Sequence, residues 1–224
     1  MSEIPTTLEH RVLFPEGARA AAHPTVIMLH GRGADEEDLI GLSRYYDPGL
    51  LVLSVRAPYP FANGGGYTWY DVGAVGTPDP AMFRLSYDRL SQFVVDALHE
   101  YPVDRSHVYL LGFSMGTVMA FALSLSRPEL FRGVIANSGY VPEGTHLSFR
   151  WRELGSVAYF IAHGREDPVI PIEFARRAQR LFGESNARVE YREYDMGHEI
   201  GEESLRDSAA FLEGLLGKKQ LPPN

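Results

Sequence analysis

The chain has 224 residues, 45% of them hydrophobic and 22% charged, the make-up of one ordinary globular domain. It contains no cysteine, which excludes disulfides, thiolate metal sites and a cysteine nucleophile. A formal net charge of −8 argues against binding nucleic acid or an anionic membrane surface, and no apolar run approaches the ~18 residues of a membrane span.

The opening stretch MSEIPTTLEHRVLF lacks a basic segment followed by an apolar one, so no signal peptide is expected and a cytoplasmic location is. From there apolar runs alternate with helical stretches, the pattern of a mostly parallel α/β sheet flanked by helices. Residues 10–14 read as an edge strand and 25–31 as a buried one. Residues 35–46 read as the next helix, with Asp35, Glu36, Glu37 and Asp38 at the positive end of its dipole. Residues 50–58 form a strand that ends at Pro58. The longest stretch without regular pattern is 58–82, rich in Gly, Pro and aromatics, and loops of that length in compact domains often carry function. A helix over 87–101 sets Leu90, Phe93, Val94, Ala97 and Leu98 on one face. Strand 106–113 runs directly into helix 116–126, and further strands are expected over 133–139, 157–164 and 188–194. Amphipathic helices cover 173–182 and 202–216. Residues 1–217 are expected to be one domain with no separate lid, and the polar tail 218–224 to be frayed.

The stretch YLLGFSMGTVMAF, residues 109–121, places Ser114 between Gly112 and Gly116 where a strand meets a helix. At so sharp a turn, side chains on the flanking positions would strike the neighbouring strand and helix, so glycine is placed there and the serine is pushed out with Oγ exposed. The helix N-terminus behind it offers N–H groups to a developing anion. A tight turn carrying a solvated serine has the same local sequence.

A serine hydroxyl needs a base to act as a nucleophile. Of the eight histidines, His198 follows the last expected strand and precedes the last helix, which puts it on the same rim of the sheet as Ser114. His10, His23, His99 and His107 lie at or before strand starts, and His146 lies in an irregular segment. His30 and His163 each occur as His-Gly at a strand end, where packing or structural hydrogen bonding is the simpler role. An acid must in turn hold the imidazole. Asp167 lies just beyond strand 157–164 on the productive rim, with Asp195 and Glu166 as competitors; a helix N-cap or Asx-turn is its other reading. The order Ser114, Asp167, His198 is that of an α/β-hydrolase triad.

The tetrahedral intermediate of acyl transfer requires N–H donors for its oxyanion. The N–H of Met115, after the serine, is one expected donor, and that of Arg32 in LHGRGADEEDL, residues 29–39, is the other. Gly31-x-Gly33 imitates a dinucleotide fingerprint, but Glu36 takes the place of the third glycine and four carboxylates crowd the position of a pyrophosphate. No P-loop sequence and no metal-binding histidine pair is found, so neither a cofactor nor a metal is expected.

Taken together, LHGRGADEEDL, GYTWYD (66–71), LLGFSMG, HGREDPVIP and YDMGHEI resemble the phospholipase/carboxylesterase family of α/β-hydrolases, which includes bacterial carboxylesterases and acyl-protein thioesterases. The resemblance spans residues 29–200 and implies an α/β-hydrolase fold. It also implies a Ser114–Asp167–His198 triad, oxyanion amides at Arg32 and Met115, and cofactor-free hydrolysis of esters or thioesters. Met115 stands where the thioesterase branch commonly carries Gln, which favours the carboxylesterase branch. Trp69, Tyr70, Phe113 and Val169 are expected to form an apolar substrate pocket, although the aromatics can equally anchor the long loop to the sheet. The expected partner is a small soluble ester (short-chain acyl or aryl), without nucleic acid or stable membrane association. The oligomeric state is left open, a homodimer being one option.

Overall fold

The computed structural model describes residues 8–15, 22–62 and 64–217; the tail over 218–224 and the first half of the opening stretch lie outside the described residues. In chain order the elements are β1 (His10–Leu13), β2 (His23–Leu29), β3 (Leu51–Val55), β4 (Tyr59–Pro60), β5 (Tyr67–Thr68), β6 (Val72–Ala74), β7 (Thr77–Pro78), α1 (Pro80–Glu100), β8 (Val103–Phe113), α2 (Met115–Ser126), β9 (Gly133–Asn137), β10 (Ala158–Gly164), α3 (Ile172–Gly183), β11 (Arg188–Tyr194) and α4 (Glu202–Leu215). Seven of the strands make one sheet in the order β1-β3-β2-β8-β9-β10-β11. All neighbours are parallel except β1, which runs antiparallel to β3 at the edge. This is the mostly parallel, helix-flanked architecture that the alternation implies, and no separate lid domain is present among the described residues.

Strands β3, β9 and β10 are buried along their whole length, which is why they read as continuous apolar runs. On β2, Ile27 and Leu29 join a core with Phe93 and Val94 of α1 and Val118 and Phe121 of α2. Val26 and Met28 point to the other face and join Leu205, Phe211 and Leu212 of α4. Fully burying each such side chain contributes about 1.5–3 kcal/mol, so a one-residue slip of β2 would be strongly opposed.

Residues 35–46 do not form the expected α-helix. A 3-10 segment, Ile40–Tyr45, follows a series of turns instead. The buried Glu36 turns inward to ion-pair with Arg56, beyond β3, and Asp35 Oδ1 accepts the Glu37 N–H at 2.9 Å. Such local side-chain-to-backbone bonds compete with helical ones. Helix α1 begins at Pro80 rather than near residue 87: Asp79 Oδ1 accepts the N–H groups of Ala81 and Met82 at 3.1 and 2.8 Å, with proline in the first turn. The 58–82 stretch is organised as two small hairpins, β4–β5 and β6–β7, the first tied to the β2 loop by a bridge between Ala34 and Tyr67. Among the described residues no helix is long and apolar enough to cross a membrane.

Candidate active site

Strand β8 ends at Phe113 and α2 begins at Met115, so Ser114 alone makes the turn. Its backbone sits at φ 54° and ψ −118°, a region that costs a non-glycine residue of order 1–3 kcal/mol. The surroundings impose that conformation. A Cβ at Gly116 would lie 1.8 Å from the Leu29 carbonyl oxygen, and one at Gly112 would lie 2.6 Å from Thr117 Cα. The Ser114 N–H donates to the Asn137 carbonyl at 3.0 Å and Thr117 Oγ1 donates to the same oxygen at 2.7 Å, so the end of β9 holds the turn from the side.

Two further loops at the carboxyl ends of the parallel strands bring Asp167 and His198 to this turn. The loop after β10 is pinned to the one after β11 by Arg165 N–H to the Tyr194 carbonyl at 2.8 Å and Glu166 N–H to the Met196 carbonyl at 3.3 Å. Gly164 permits the approach, since a Cβ there would lie 2.2 Å from the Met196 carbonyl oxygen. His198 Nδ1 lies 2.7 Å from Asp167 Oδ2, and His198 Nε2 lies 2.9 Å from Ser114 Oγ. A carboxylate only accepts, so Nδ1 carries the proton and Nε2 offers its lone pair to the serine hydroxyl. The Phe113 ring lies against the imidazole, with centroids 4.9 Å apart. The Asp167 side chain is wholly buried, and its Oδ1 accepts the N–H groups of Val169 and Ile170, both at 2.8 Å. It therefore makes an Asx-turn and meets the histidine at once, but it does not cap α3, whose N-cap is Pro171. The two competing acids point elsewhere: Asp195 pairs with Arg165 on the surface, and Glu166 is exposed.

The other two histidines near this rim are structural in their contacts. His30 accepts the Ala57 N–H at 3.0 Å through Nε2, and its Nδ1 lies 2.6 Å from the Gly31 carbonyl. His163 Nε2 donates to the Ile170 carbonyl at 2.8 Å. Burial holds both below the usual histidine pKa. Among the described residues no group of three or more His, Cys, Asp or Glu is arranged to hold a metal ion.

Ser114 and His198 open onto a cavity of about 600 Å³ whose walls include Arg32, Val72, Val75, Met115, Tyr140 and Val169. The backbone N–H groups of Gly33 and Ala34 are taken by the Tyr67 and Gly31 carbonyls, whereas those of Arg32 and Met115 have no protein acceptor among the described residues. The Arg32 guanidinium lies over the Phe61 ring, 5.5 Å from its centroid, at the cavity's edge. Asp38 also lines the cavity, and its carboxyl is raised above the ordinary range by desolvation.

Phe113 and Val169 line this cavity, as expected of a pocket, but Trp69 and Tyr70 do not. Both are completely buried. Trp69 Nε1 donates to the His30 carbonyl at 2.9 Å, its own carbonyl accepts from Ser86 Oγ, and the Tyr70 hydroxyl lies 3.4 Å from that of Tyr140. Their bulk and their polar atoms are used to anchor the 58–82 stretch to the sheet. The walls they were expected to supply come from Val72–Val75 and Tyr140, which the sequence reading missed. Alternation in the three-residue strand β6 is too brief to have revealed them.

A model of the phospholipase/carboxylesterase family matches residues 13–216. The chain belongs to this family. Its relatives include acyl-protein thioesterase 1 of Candida albicans, 23% identical over 219 residues that cover 89% of this chain and 95% of that one. A putative hydrolase of Bacillus subtilis is 26% identical over 78% of this chain and 85% of its own. Among solved structures, the Bacillus cereus carboxylesterase superposes with a TM-score of 0.82 at 24% identity, over 93% of this chain and 94% of that one. The fold is thus the α/β-hydrolase fold, and membership of the family makes the protein a carboxylic ester hydrolase.

Proposed function

We propose that the protein is a serine carboxylesterase that cleaves small soluble esters through an acyl-enzyme. The observation that carries this reading is the unbroken chain of contacts Asp167–His198–Ser114, at 2.7 and 2.9 Å, opening onto a cavity. His198 Nε2 takes the Ser114 proton as Oγ attacks the ester carbonyl, and Asp167 holds the tautomer and steadies the imidazolium. The oxyanion is received by the N–H groups of Arg32 and Met115, each contributing about 10²–10³ in turnover. The imidazolium then protonates the departing alcohol, and a water activated by the same base releases the acid. Metal and organic cofactor have no part in these steps.

Phe113, Val169 and the Val72–Val75 hairpin supply the apolar walls. A cavity of about 600 Å³ is in the range that encloses drug-sized molecules, and it has to take both the acyl and the alcohol halves. That favours short-chain acyl or aryl esters. Thioester hydrolysis is the second reading, since the same machinery performs it and several relatives are named acyl-protein thioesterase 1. The test is Ser114→Ala with the fold confirmed by circular dichroism. Loss of p-nitrophenyl butyrate hydrolysis and of fluorophosphonate labelling is expected; retained activity in clean protein would remove Ser114 from its role. Acyl-CoA substrates run in parallel would separate ester from thioester preference.

A further inference from the structure

Strand β10 contributes one buried polar side chain that the steps above leave unused. His163 is 0% exposed, and its Nε2 lies 2.8 Å from the Ile170 carbonyl oxygen and 3.3 Å from Asp167 Oδ2. A carbonyl only accepts, so Nε2 carries the proton and Nδ1 is left as a bare acceptor. Among the described residues that Nδ1 has no partner. An unsatisfied buried nitrogen is a cost that an apolar side chain of similar size would avoid, so packing alone does not account for a histidine here.

Its contacts do. Ile170 is the far end of the turn that Asp167 Oδ1 closes through the N–H groups of Val169 and Ile170. Asp167 Oδ2 is already engaged by His198 from one side, and the His163 N–H faces it from another. Resting on the roles given above to Ser114, His198 and Asp167, we propose that His163 is a positioning residue: its Nε2–H pins the Ile170 carbonyl, and thereby the Asp167 turn, while directing its dipole at the oxygen that holds His198. The neutral form suits this task, because a proton on Nδ1 would find no acceptor; burial holds the ring below the usual histidine pKa. The titratable groups that act on His163 are Asp167 and His198 on the rim and Glu193 of β11 beside it.

Two consequences separate this role from simple packing. Without the His163 donor the turn loosens, so turnover falls while substrate binding does not. Oδ2 then also faces His198 alone, the imidazolium is better stabilised, and the acid limb of the kcat/KM profile moves to higher pH.

The experiment compares His163→Leu, His163→Asn and His163→Gln on p-nitrophenyl butyrate across pH. For Leu, kcat falls about tenfold with KM within about twofold, and the acid limb moves up. Gln restores most of kcat and returns the limb, since its terminal amide reaches the Nε2 position. Asn, whose amide ends near Nδ1, behaves like Leu and replaces it should Leu fail to fold. The inference is overturned if kcat of the donor-less variant stays within about twofold of the parent, if the limb stays or moves down, or if Gln is no better than Asn. Ser114→Ala measured alongside keeps the two failures apart. If that variant still hydrolyses the ester, the nucleophile assignment falls; if it is inert while the His163 variants match the parent, only the positioning role falls.

Discussion

Replacing Asp167 by Asn tests the proposed chemistry without removing an atom. The carboxamide can sit two ways. With its NH2 towards Val169 and Ile170 it would give up two hydrogen bonds of 2.8 Å and set donors against donors, so the carbonyl keeps that side. The NH2 then replaces Oδ2, facing His198 Nδ1 at 2.7 Å and His163 Nε2 at 3.3 Å. Nδ1–H and NH2 cannot share that space. His198 answers by moving its proton to Nε2, where it meets the Ser114 hydroxyl with a hydrogen instead of a lone pair. The fold and the cavity stay as they are while the base is in the wrong tautomer. The expected fall in kcat is about 10⁴-fold, or about 5.4 kcal/mol at 1.36 kcal/mol per decade, with KM nearly unchanged. Steady-state hydrolysis of p-nitrophenyl butyrate reads it, with Asp195→Asn as the control because that side chain is 90% exposed and bonded to Arg165. An Asp167→Asn enzyme within tenfold of the parent, or an Asp195→Asn enzyme as impaired as Asp167→Asn, would refute the assignment.

Three further outcomes are expected. His30 and His163 are held below the usual histidine pKa by burial, so the unfolded chain binds protons that the folded one does not as pH falls below about 6.5. Stability is therefore complete above that pH and declines beneath it by up to about 1.4 kcal/mol per pH unit for each histidine, which urea midpoints at pH 7.5 and 5.5 will register; equal midpoints would contradict it. Gly116→Ala forces β2 and α2 apart, because the new carbon would lie 1.8 Å from the Leu29 carbonyl oxygen, and should lower both the melting temperature and kcat. Gly41→Ala, with nothing within 4 Å, should do neither. Turnover of a C4 p-nitrophenyl ester should exceed that of a C16 ester, and comparable rates on the two would count against the short-chain reading.

The strands of the seven-stranded sheet were the most legible part of the chain, since those buried on both faces leave uninterrupted apolar runs. Residues 133–139, 157–164 and 188–194 correspond to β9, β10 and β11 within two residues at either end. Where a local pattern misled, a distant partner was the cause. DEEDLIGLSRYY has helical spacing, but Glu36 is drawn inward by Arg56, twenty residues away, and the helix is lost. The start of α1 was legible in principle: Asp79-Pro80 is a capping residue followed by a first-turn proline. It was hidden by the aromatic and glycine-rich stretch before it, whose two hairpins depend on contacts such as Tyr67 with Ala34.

The site divides along the same line. Ser114, Asp167 and His198 sit where parallel strands end, and chain topology alone brings such positions to one rim. Sequence chose Asp167 over Glu166 and Asp195 from its place on the rim and the order of the three residues, but could not show what holds that carboxylate inward, which is the Asx-turn to Val169 and Ile170. The walls of the cavity follow no such rule. Trp69 and Tyr70 have the size and chemistry of substrate-binding aromatics, yet those same properties serve to bolt the hairpins down, and only tertiary packing decides between the two uses. Val72–Val75 line the cavity on a hairpin whose Gly76 sits against the Phe174 ring of α3, where a Cβ would lie 3.1 Å from that ring, and Phe174 is in turn tilted against Tyr140 with centroids 5.5 Å apart. The proposed reacting groups thus depend on where strands end, and the proposed specificity surface on how one short hairpin is braced. Substitutions in the hairpin can therefore alter which ester fits while the distances among Ser114, His198 and Asp167 stay as they are.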